Sequence, residues 1–227
     1  MPGRQEQALR AGRELEDAPA ETVLRWAAAT FGDRMCVTSS MEDAVLVHLA
    51  SRAAPGVPVL FLDTGYHFAE TIGTRDAVAL MPGVTVRTLS PAQTVAEQDA
   101  RYGPRLHERQ PDLCCALRKV APFEAALAGY DAWVTGLRRA DSAERAGTPV
   151  VGWDAARGKV KISPLARWSQ DDLDRYISEH GLLVNPLRSE GYRSIGCAPC
   201  TRPVAPGEDA RAGRWAGSGK NECGLHR

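Results

Sequence analysis

Two cysteine pairs set the tightest constraint on this chain. Cys114-Cys115 lies in a helical pattern, and Cys197-Ala198-Pro199-Cys200 lies far downstream in a loop rich in Gly and Pro. Four thiols grouped in this way read as one thiolate site assembled from two distant segments, so the fold must bring those segments together. Thiolate ligands select zinc or an iron–sulfur cluster. Zinc sites usually use two Cys-x-x-Cys knuckles, whereas a vicinal Cys-Cys is awkward around one tetrahedral ion but can ligate different irons of a cubane. The pattern favours a [4Fe-4S] cluster held by Cys114, Cys115, Cys197 and Cys200 over zinc, which stays the alternative. A further cysteine, Cys223, lies in a Gly-flanked tail, where a free thiol is a poor metal ligand and a good nucleophile. Lys220 and His226 are placed to favour its thiolate. The bland alternative is an incidental exposed cysteine. Cys36 falls in a strand pattern and reads as a small core residue.

Composition narrows the function classes. The chain has 227 residues, enough for one α/β domain with a good core. Lys+Arg and Asp+Glu are 28 each, so no general basic field argues for nucleic acid. The first residues are charged (Arg4, Glu6, Arg10, Arg13, Glu14) and lack the apolar core of a signal sequence. No apolar run approaches ~18 residues, so no membrane span is expected. A reducing cytoplasm is the expected compartment, where cysteines bind metals or do chemistry rather than pair as structural disulfides.

Along the chain, residues 1–20 form a polar segment with at most a frayed helix, 21–200 a single α/β domain, and 201–227 a mobile tail. Apolar β-type runs at 34–39, 57–62, 84–89 and 131–135 alternate with helical patterns at 21–31, 44–54, 67–80, 91–101 and 112–128. Pro91 is expected in the first turn of its helix. Residues 150–153 and 159–162 suggest a hairpin, and Ser169 to Asp172 a capping box for a helix to His180, stopped by Gly181. This alternation argues for a doubly wound, mostly parallel sheet, with ligands bound beyond the C-terminal strand ends. Ser39-Ser40, Asp63-Thr64-Gly65 and Arg138-Arg139 all fall at such ends. The Ser39 turn lacks the lysine of a P-loop, so Walker-type ATP use is unsupported. Arg138, Arg139, Arg145, Arg211 and Arg214 are a reserve of bidentate anion ligands, although most charged runs are only solvated surface. Lys119 falls one helical turn after Cys115, on the same face as the thiols. His48, His67, His107 and His180 show no metal-ligand spacing and read as structural.

Together these motifs resemble one family, the assimilatory adenylyl-sulfate and phosphoadenylyl-sulfate reductases. The resemblance runs from about Thr38 to His226, through SSMEDAVL (39–46), FLDTGYHFAE (61–70), CCALRKV (114–120), TGLRR (135–139), GCAPCT (196–201) and ECGLH (222–226). It implies an adenine nucleotide alpha hydrolase-like, PP-loop-related fold. It also implies that Cys223 attacks the sulfate sulfur of the bound nucleotide, leaving an S-sulfocysteine from which thioredoxin or a related dithiol frees sulfite. Members with both cysteine pairs hold a [4Fe-4S] cluster and prefer adenylyl sulfate; the same chemistry on the 3′-phosphorylated nucleotide is the alternative. By resemblance, Lys119, Arg211 and Arg214 contact the substrate's phosphate and sulfate, with Arg145 matching a further such position. Ser39, Ser40 and Leu62, the last through its backbone, hold the nucleotide beside Asp63, Arg138 and Arg139, and His226 joins Cys223 at the reacting end. The family turn often has Gly where Ser40 stands here. More distant readings are an iron–sulfur tRNA thiolase, which wants an intact Ser-Gly-Gly loop and a basic surface, and a zinc-stapled interaction module, which leaves Cys223 unexplained. The sequence leaves a homo-oligomer open.

Overall fold

The computed structural model describes residues 3–217, 220 and 222–226. Its centre is a sheet whose strands each serve two cores. Strands β1 (Met35–Thr38), β2 (Pro58–Leu62) and β4 (Ala132–Val134) alternate strictly. Met35, Val37, Val59, Phe61, Ala132 and Val134 enter one core, while Cys36, Leu60 and Trp133 enter the other. Both faces are apolar because both are covered, which is why these runs read as continuously hydrophobic. Full burial of side chains the size of Phe61 contributes roughly 1.5–3 kcal/mol each.

Six strands follow the order β3-β2-β1-β4-β6-β5, with β3 at Thr85–Leu89, β5 at Val151–Asp154 and β6 at Lys159–Ile162. All pairings are parallel except the β5–β6 hairpin. Helices α1 (Arg4–Glu14), α2 (Ala20–Phe31), α3 (Val45–Ala53) and α4 (Ala69–Ala79) contribute to the first core, as does α9 (Gln170–His180). On the second face, α8 (Ala121–Leu127) packs Phe123 and Leu127 against Trp133. The sheet is thus doubly wound, as expected. It reverses its winding beside β1, which has β2 on one side and β4 on the other, and a crevice opens at that switch point.

Some local expectations fail for identifiable reasons. Within the segment 1–20, whose first two residues lie outside the described ones, α1 is not a frayed helix but buries Ala8 and Ala11 against the sheet. A Cβ at Gly12 would lie 2.4 Å from the Val151 carbonyl oxygen, so only glycine lets the helix approach β5 this closely. The helix expected from Pro91 starts at Val95 as α5 (Val95–Tyr102). Thr94 caps it, accepting from Glu97 N at 3.2 Å while Glu97 accepts from Thr94 N at 2.8 Å, and this capping box overrides the proline signal. The box at Ser169 and the left-handed Gly181 are where the sequence puts them. The helix expected over 112–128 is composite. After a short α6 (Leu106–Arg109), α7 (Pro111–Cys115) passes through a π-turn at Ala116–Val120 before α8 begins. No helix among the described residues is long and apolar enough to cross a membrane.

Candidate active site

The four thiols meet, as the two cysteine pairs require. Cys114 and Cys115 at the end of α7, and Cys197 and Cys200 in the distant loop, line one pocket with Tyr66, Arg118, Lys119 and Trp215. All four are free and at least half-buried. Among the described residues, no three His, Cys, Asp or Glu side chains gather as a set for one metal ion. Burial, reinforced by the neighbouring thiols, pushes Cys114 up to about 12 and Cys200 to about 11. Burial acts the same way on Cys197, but Lys119, the Thr64 hydroxyl and Arg214 outweigh it and bring that thiol below its ordinary value.

Local structure explains how the two segments are held. The Cys197 sulfur lies 3.2 Å from Thr64 Oγ1, and Ala198 N donates to the Tyr66 carbonyl at 2.7 Å. The turn carrying Thr64 and Tyr66 is gripped in turn by Arg118, which is buried in the π-turn. Arg118 donates to the Thr64 carbonyl, to Gln93 O at 3.3 Å and to Gln98 Oε1 at 3.2 Å, and lies over the Tyr66 ring. Sequence reasoning passed over Arg118. Its signal was the four-residue spacing from Cys114, the same argument that picked out Lys119.

A cleft of about 650 Å³ opens at the C-terminal ends of β1, β2 and β4. It is lined by Ser39, Ser40, Leu62, Lys119, Arg138, Arg145, Arg211, Arg214, Cys223 and His226. Lys119 and Trp215 also line the thiol pocket, so they form a shared wall. Burial disfavours the Lys119 charge, yet the thiols of Cys197, Cys223 and Cys115 overcome this and hold its pKa above the ordinary value. Arg214 donates to Ser194 Oγ and to the Ile195 carbonyl, both at 3.2 Å, and stacks 4.5 Å from the Trp215 ring centroid. Its buried Nε has no partner among the described residues.

Two expected residues stand outside this cleft lining. Arg139 turns the other way, pairing with Glu16 at 2.7 Å and donating to Thr148 O at 2.8 Å, so it ties the N-terminal segment to the loop after β4. Asp63 caps its own turn by accepting from Gly65 N at 2.9 Å. Ser39 and Leu62 line the cleft with their polar groups already engaged. Ser39 Oγ accepts from Met41 N at 3.1 Å, and the Leu62 carbonyl lies 2.7 Å from His67 Nε2. A carbonyl partner fixes that nitrogen as the protonated one and leaves Nδ1 of His67 bare. His67, read from sequence as structural, is therefore also a cleft residue.

Of the tail expected to be mobile, residues 218, 219, 221 and 227 lie outside the described residues, and 222–226 lie seated on the domain. Leu225 packs with the Phe123–Trp133 core, and the His226 ring stacks on Trp133 with centroids 5.7 Å apart. Arg157 donates to Gly224 O at 3.1 Å. These contacts leave Cys223 only 8% exposed, beside Cys115 and Trp215. Burial, reinforced by Lys161, Arg145, Arg157 and Arg211, drives His226 well below its ordinary pKa, so it is neutral. As a neutral ring it brings no positive charge to Cys223. Lys220 pairs with Asp112 and lies 5.5 Å from the Trp215 ring centroid. Trp215 was also missed, and its signal was its place directly after the Arg211 and Arg214 pair. Its backbone is left-handed at φ 48°, a strain that clusters at functional sites.

Comparison with known proteins gives one answer. The profile of the phosphoadenosine phosphosulfate reductase domain matches residues 34–203. Adenosine 5'-phosphosulfate reductase from Streptomyces coelicolor is 73% identical over 219 residues, covering 96% of this chain and 93% of that protein. The protein of the same name from Mycobacterium tuberculosis is 50% identical over 242 residues, covering 99% and 95%. Among solved structures, phosphoadenylyl-sulfate (PAPS) reductase from Candida auris, in a phosphate complex, aligns with a TM-score of 0.74 at 28% identity. That alignment covers 90% of this chain and 99% of the other. FMN adenylyltransferase from Candida glabrata, at 14% identity and a TM-score of 0.59 over 87% of this chain and 64% of that one, shares the fold alone.

Proposed function

The chain belongs to the phosphoadenosine phosphosulfate reductase family, and from that membership we infer that it reduces adenosine 5'-phosphosulfate to sulfite and AMP in sulfate assimilation. One observation carries the chemistry. Cys223 and the cationic groups of Lys119, Arg145, Arg211 and Arg214 line a single cleft at the switch point of the sheet. The thiolate of Cys223 attacks the sulfate sulfur, the bond from sulfur to the bridging phosphate oxygen breaks, and AMP leaves with that electron pair. Arginine and lysine at this position neutralise the approaching anion and the charge that grows on the leaving phosphate. An external dithiol, thioredoxin or a relative, then attacks the Cys223 sulfur. Sulfite departs, and the dithiol's second thiol resolves the mixed disulfide and completes the two-electron reduction. A thiol 8% exposed cannot meet a protein partner, so the tail lifts from its seat for this step.

The four-thiol pocket fits the [4Fe-4S] cluster that the family implies. Its donors are all soft, free and convergent, the donor chemistry that selects an iron–sulfur cluster, with zinc the alternative that thiolates also serve. Cys114, Cys115, Cys197 and Cys200 would hold the cluster. When bound it supplies a fixed local charge and a link between the two segments, while the dithiol supplies the electrons. Lys119 in the shared wall would face both this charge and the substrate.

Intact-protein mass spectrometry after adding adenylyl sulfate without reductant tests the reading. A sulfonate adduct on Cys223, lost on adding thioredoxin, is expected. Its absence in cluster-loaded enzyme, or wild-type turnover by Cys223→Ser, would overturn it. A steady-state comparison with the 3′-phosphorylated nucleotide decides the substrate preference.

A further inference from the structure

The seated tail brings its own anion into the arginine cluster. Arg145 donates to Glu222 Oε2 through Nε at 2.9 Å and through Nη2 at 2.7 Å. Arg211 Nη2 donates to Glu222 Oε1 at 3.4 Å, and the Cys223 backbone N–H donates to the same oxygen at 3.1 Å. Asp141 also takes Arg145 at 3.1 Å, and Ser194 lies 3.4 Å from Arg211. One carboxylate thus gathers the fork of one arginine, a second arginine and the amide of the nucleophile. A sulfate or phosphate group would use the same donors, because both anions present oxygens to bidentate guanidinium. Burial raises the Glu222 pKa, but Arg145 and Arg211 prevail and hold it below the usual carboxylate range, so it is charged while seated.

We propose that Glu222 is a positioning residue that stands in for the substrate's anionic group. It holds Arg145 and Arg211 and seats Cys223 in the resting enzyme, and it gives up those arginines when substrate enters. The inference rests on the functional reading above. Two consequences follow from the exchange. The arginine cluster never has to persist as uncompensated buried charge, which would be costly. The nucleophile stays covered until an anion competes with the carboxylate next to it, so exposure of Cys223 becomes coupled to occupancy of the cleft.

The test compares wild type with Glu222→Gln, which keeps size and shape and removes the charge. In Cys223→Ser backgrounds, where no turnover intervenes, equilibrium binding of adenylyl sulfate should tighten by about fivefold or more when Glu222 is neutral, since its competing ion pair is gone. With Cys223 restored and no nucleotide present, alkylation of its thiol should quicken several-fold. Adding AMP, whose phosphate competes for the arginines without sulfonating the thiol, should speed alkylation in wild type and change it little in Glu222→Gln. A merely structural clamp gives faster alkylation with unchanged or weaker nucleotide binding, and that outcome overturns the proposal. So does unchanged alkylation in Glu222→Gln. Sulfite formation by wild type is measured alongside. If it is absent, the functional reading itself falls, whereas sulfite formation with no tightening in the variant removes only the role of Glu222.

Discussion

Replacing Gly196 by alanine sets a methyl group against the guanidinium of Arg214. An ideal Cβ there would lie 2.2 Å from Nη2, 2.5 Å from Cζ and 3.0 Å from Nε. The backbone at Gly196 has no positive φ, so alanine brings no conformational strain of its own. What must move is the far end of a flexible side chain, and the fold should survive. Arg214 would leave Ser194, the Ile195 carbonyl and the Trp215 ring, and with them its position in the cleft. A charge-assisted contact to an anion is worth about 1.5–3 kcal/mol, so kcat/KM for adenylyl sulfate should fall roughly 10- to 100-fold. The melting temperature should drop by no more than the few degrees that ~1 kcal/mol produces in a domain of this size. Because Cys197 is the next residue, absorbance near ~400 nm should be recorded for both proteins to show that the thiol site is equally loaded. Unchanged kcat/KM in equally loaded enzyme would refute the reasoning, since Arg214 would then not be a substrate contact.

Arg118→Met keeps the length of the side chain but leaves two buried acceptors, Thr64 O and Gln98 Oε1, and the partly buried Gln93 O without their donor. We expect a loss of about 3 kcal/mol or more in denaturant unfolding and a lower iron content in the purified protein, because the turn bearing Thr64 is released from Cys197. Asp131→Asn removes the carboxylate that Arg34 and Arg4 hold at 2.6 Å. Hydrogen bonding from Arg34 is the main cause of its depressed pKa, so its stabilisation is present above the unfolded carboxyl value of about 3.9 and lost as pH falls through the lower folded value. The variant should melt below wild type at pH 7, with the gap closing as pH drops below about 4. Both arginines are half-exposed, so the gap should be small and should narrow in salt.

The parts of this molecule that were legible in sequence are those governed by local pattern. Apolar runs gave the strands, and the turn chemistry at Ser169 and Gly181 fixed a helix at both ends. Cysteine spacing required the 114–115 and 197–200 segments to meet. What was not legible depends on where remote segments land. Arg138 and Arg139 are neighbours at one strand end, yet only Arg138 lines the cleft, because Glu16 from the far N-terminus takes Arg139. Nothing near residue 139 in the sequence announces that partner. The docking of the N-terminal helix escaped notice because it packs with Ala8, Ala11 and Gly12, residues too small to register as an apolar stripe. The neutral state of His226 was not legible either: its ring is buried and lies near Lys161, Arg145, Arg157 and Arg211, three of them from distant segments. The π-turn has no sequence signal we can identify.

The arginines of the cleft are joined to the thiol site through the backbone as well as through charge. Immediately after Cys200 the chain pairs with its own later segment. Trp215 N donates to Cys200 O at 2.9 Å, Arg202 N donates to Gly213 O at 3.0 Å, and Thr201 and Arg214 form an antiparallel bridge between them. This short ladder ties the Cys197–Cys200 loop to the segment that carries Arg211, Arg214 and Trp215. At its end the strands come so close that a Cβ at Gly213 would lie 2.1 Å from the Arg202 carbonyl oxygen. That obstacle is backbone, so Gly213→Ala must push the two segments apart, at a cost of about 1–3 kcal/mol. The four thiols are untouched. If the ladder carries the coupling, Gly213→Ala should retain its iron and ~400 nm absorbance while its affinity for adenylyl sulfate falls about tenfold. Loss of iron in parallel with affinity would show that the thiol pocket and the arginines are one packed unit. Full affinity would show that Arg211 and Arg214 find their places without the ladder, and the mechanical account would then fail.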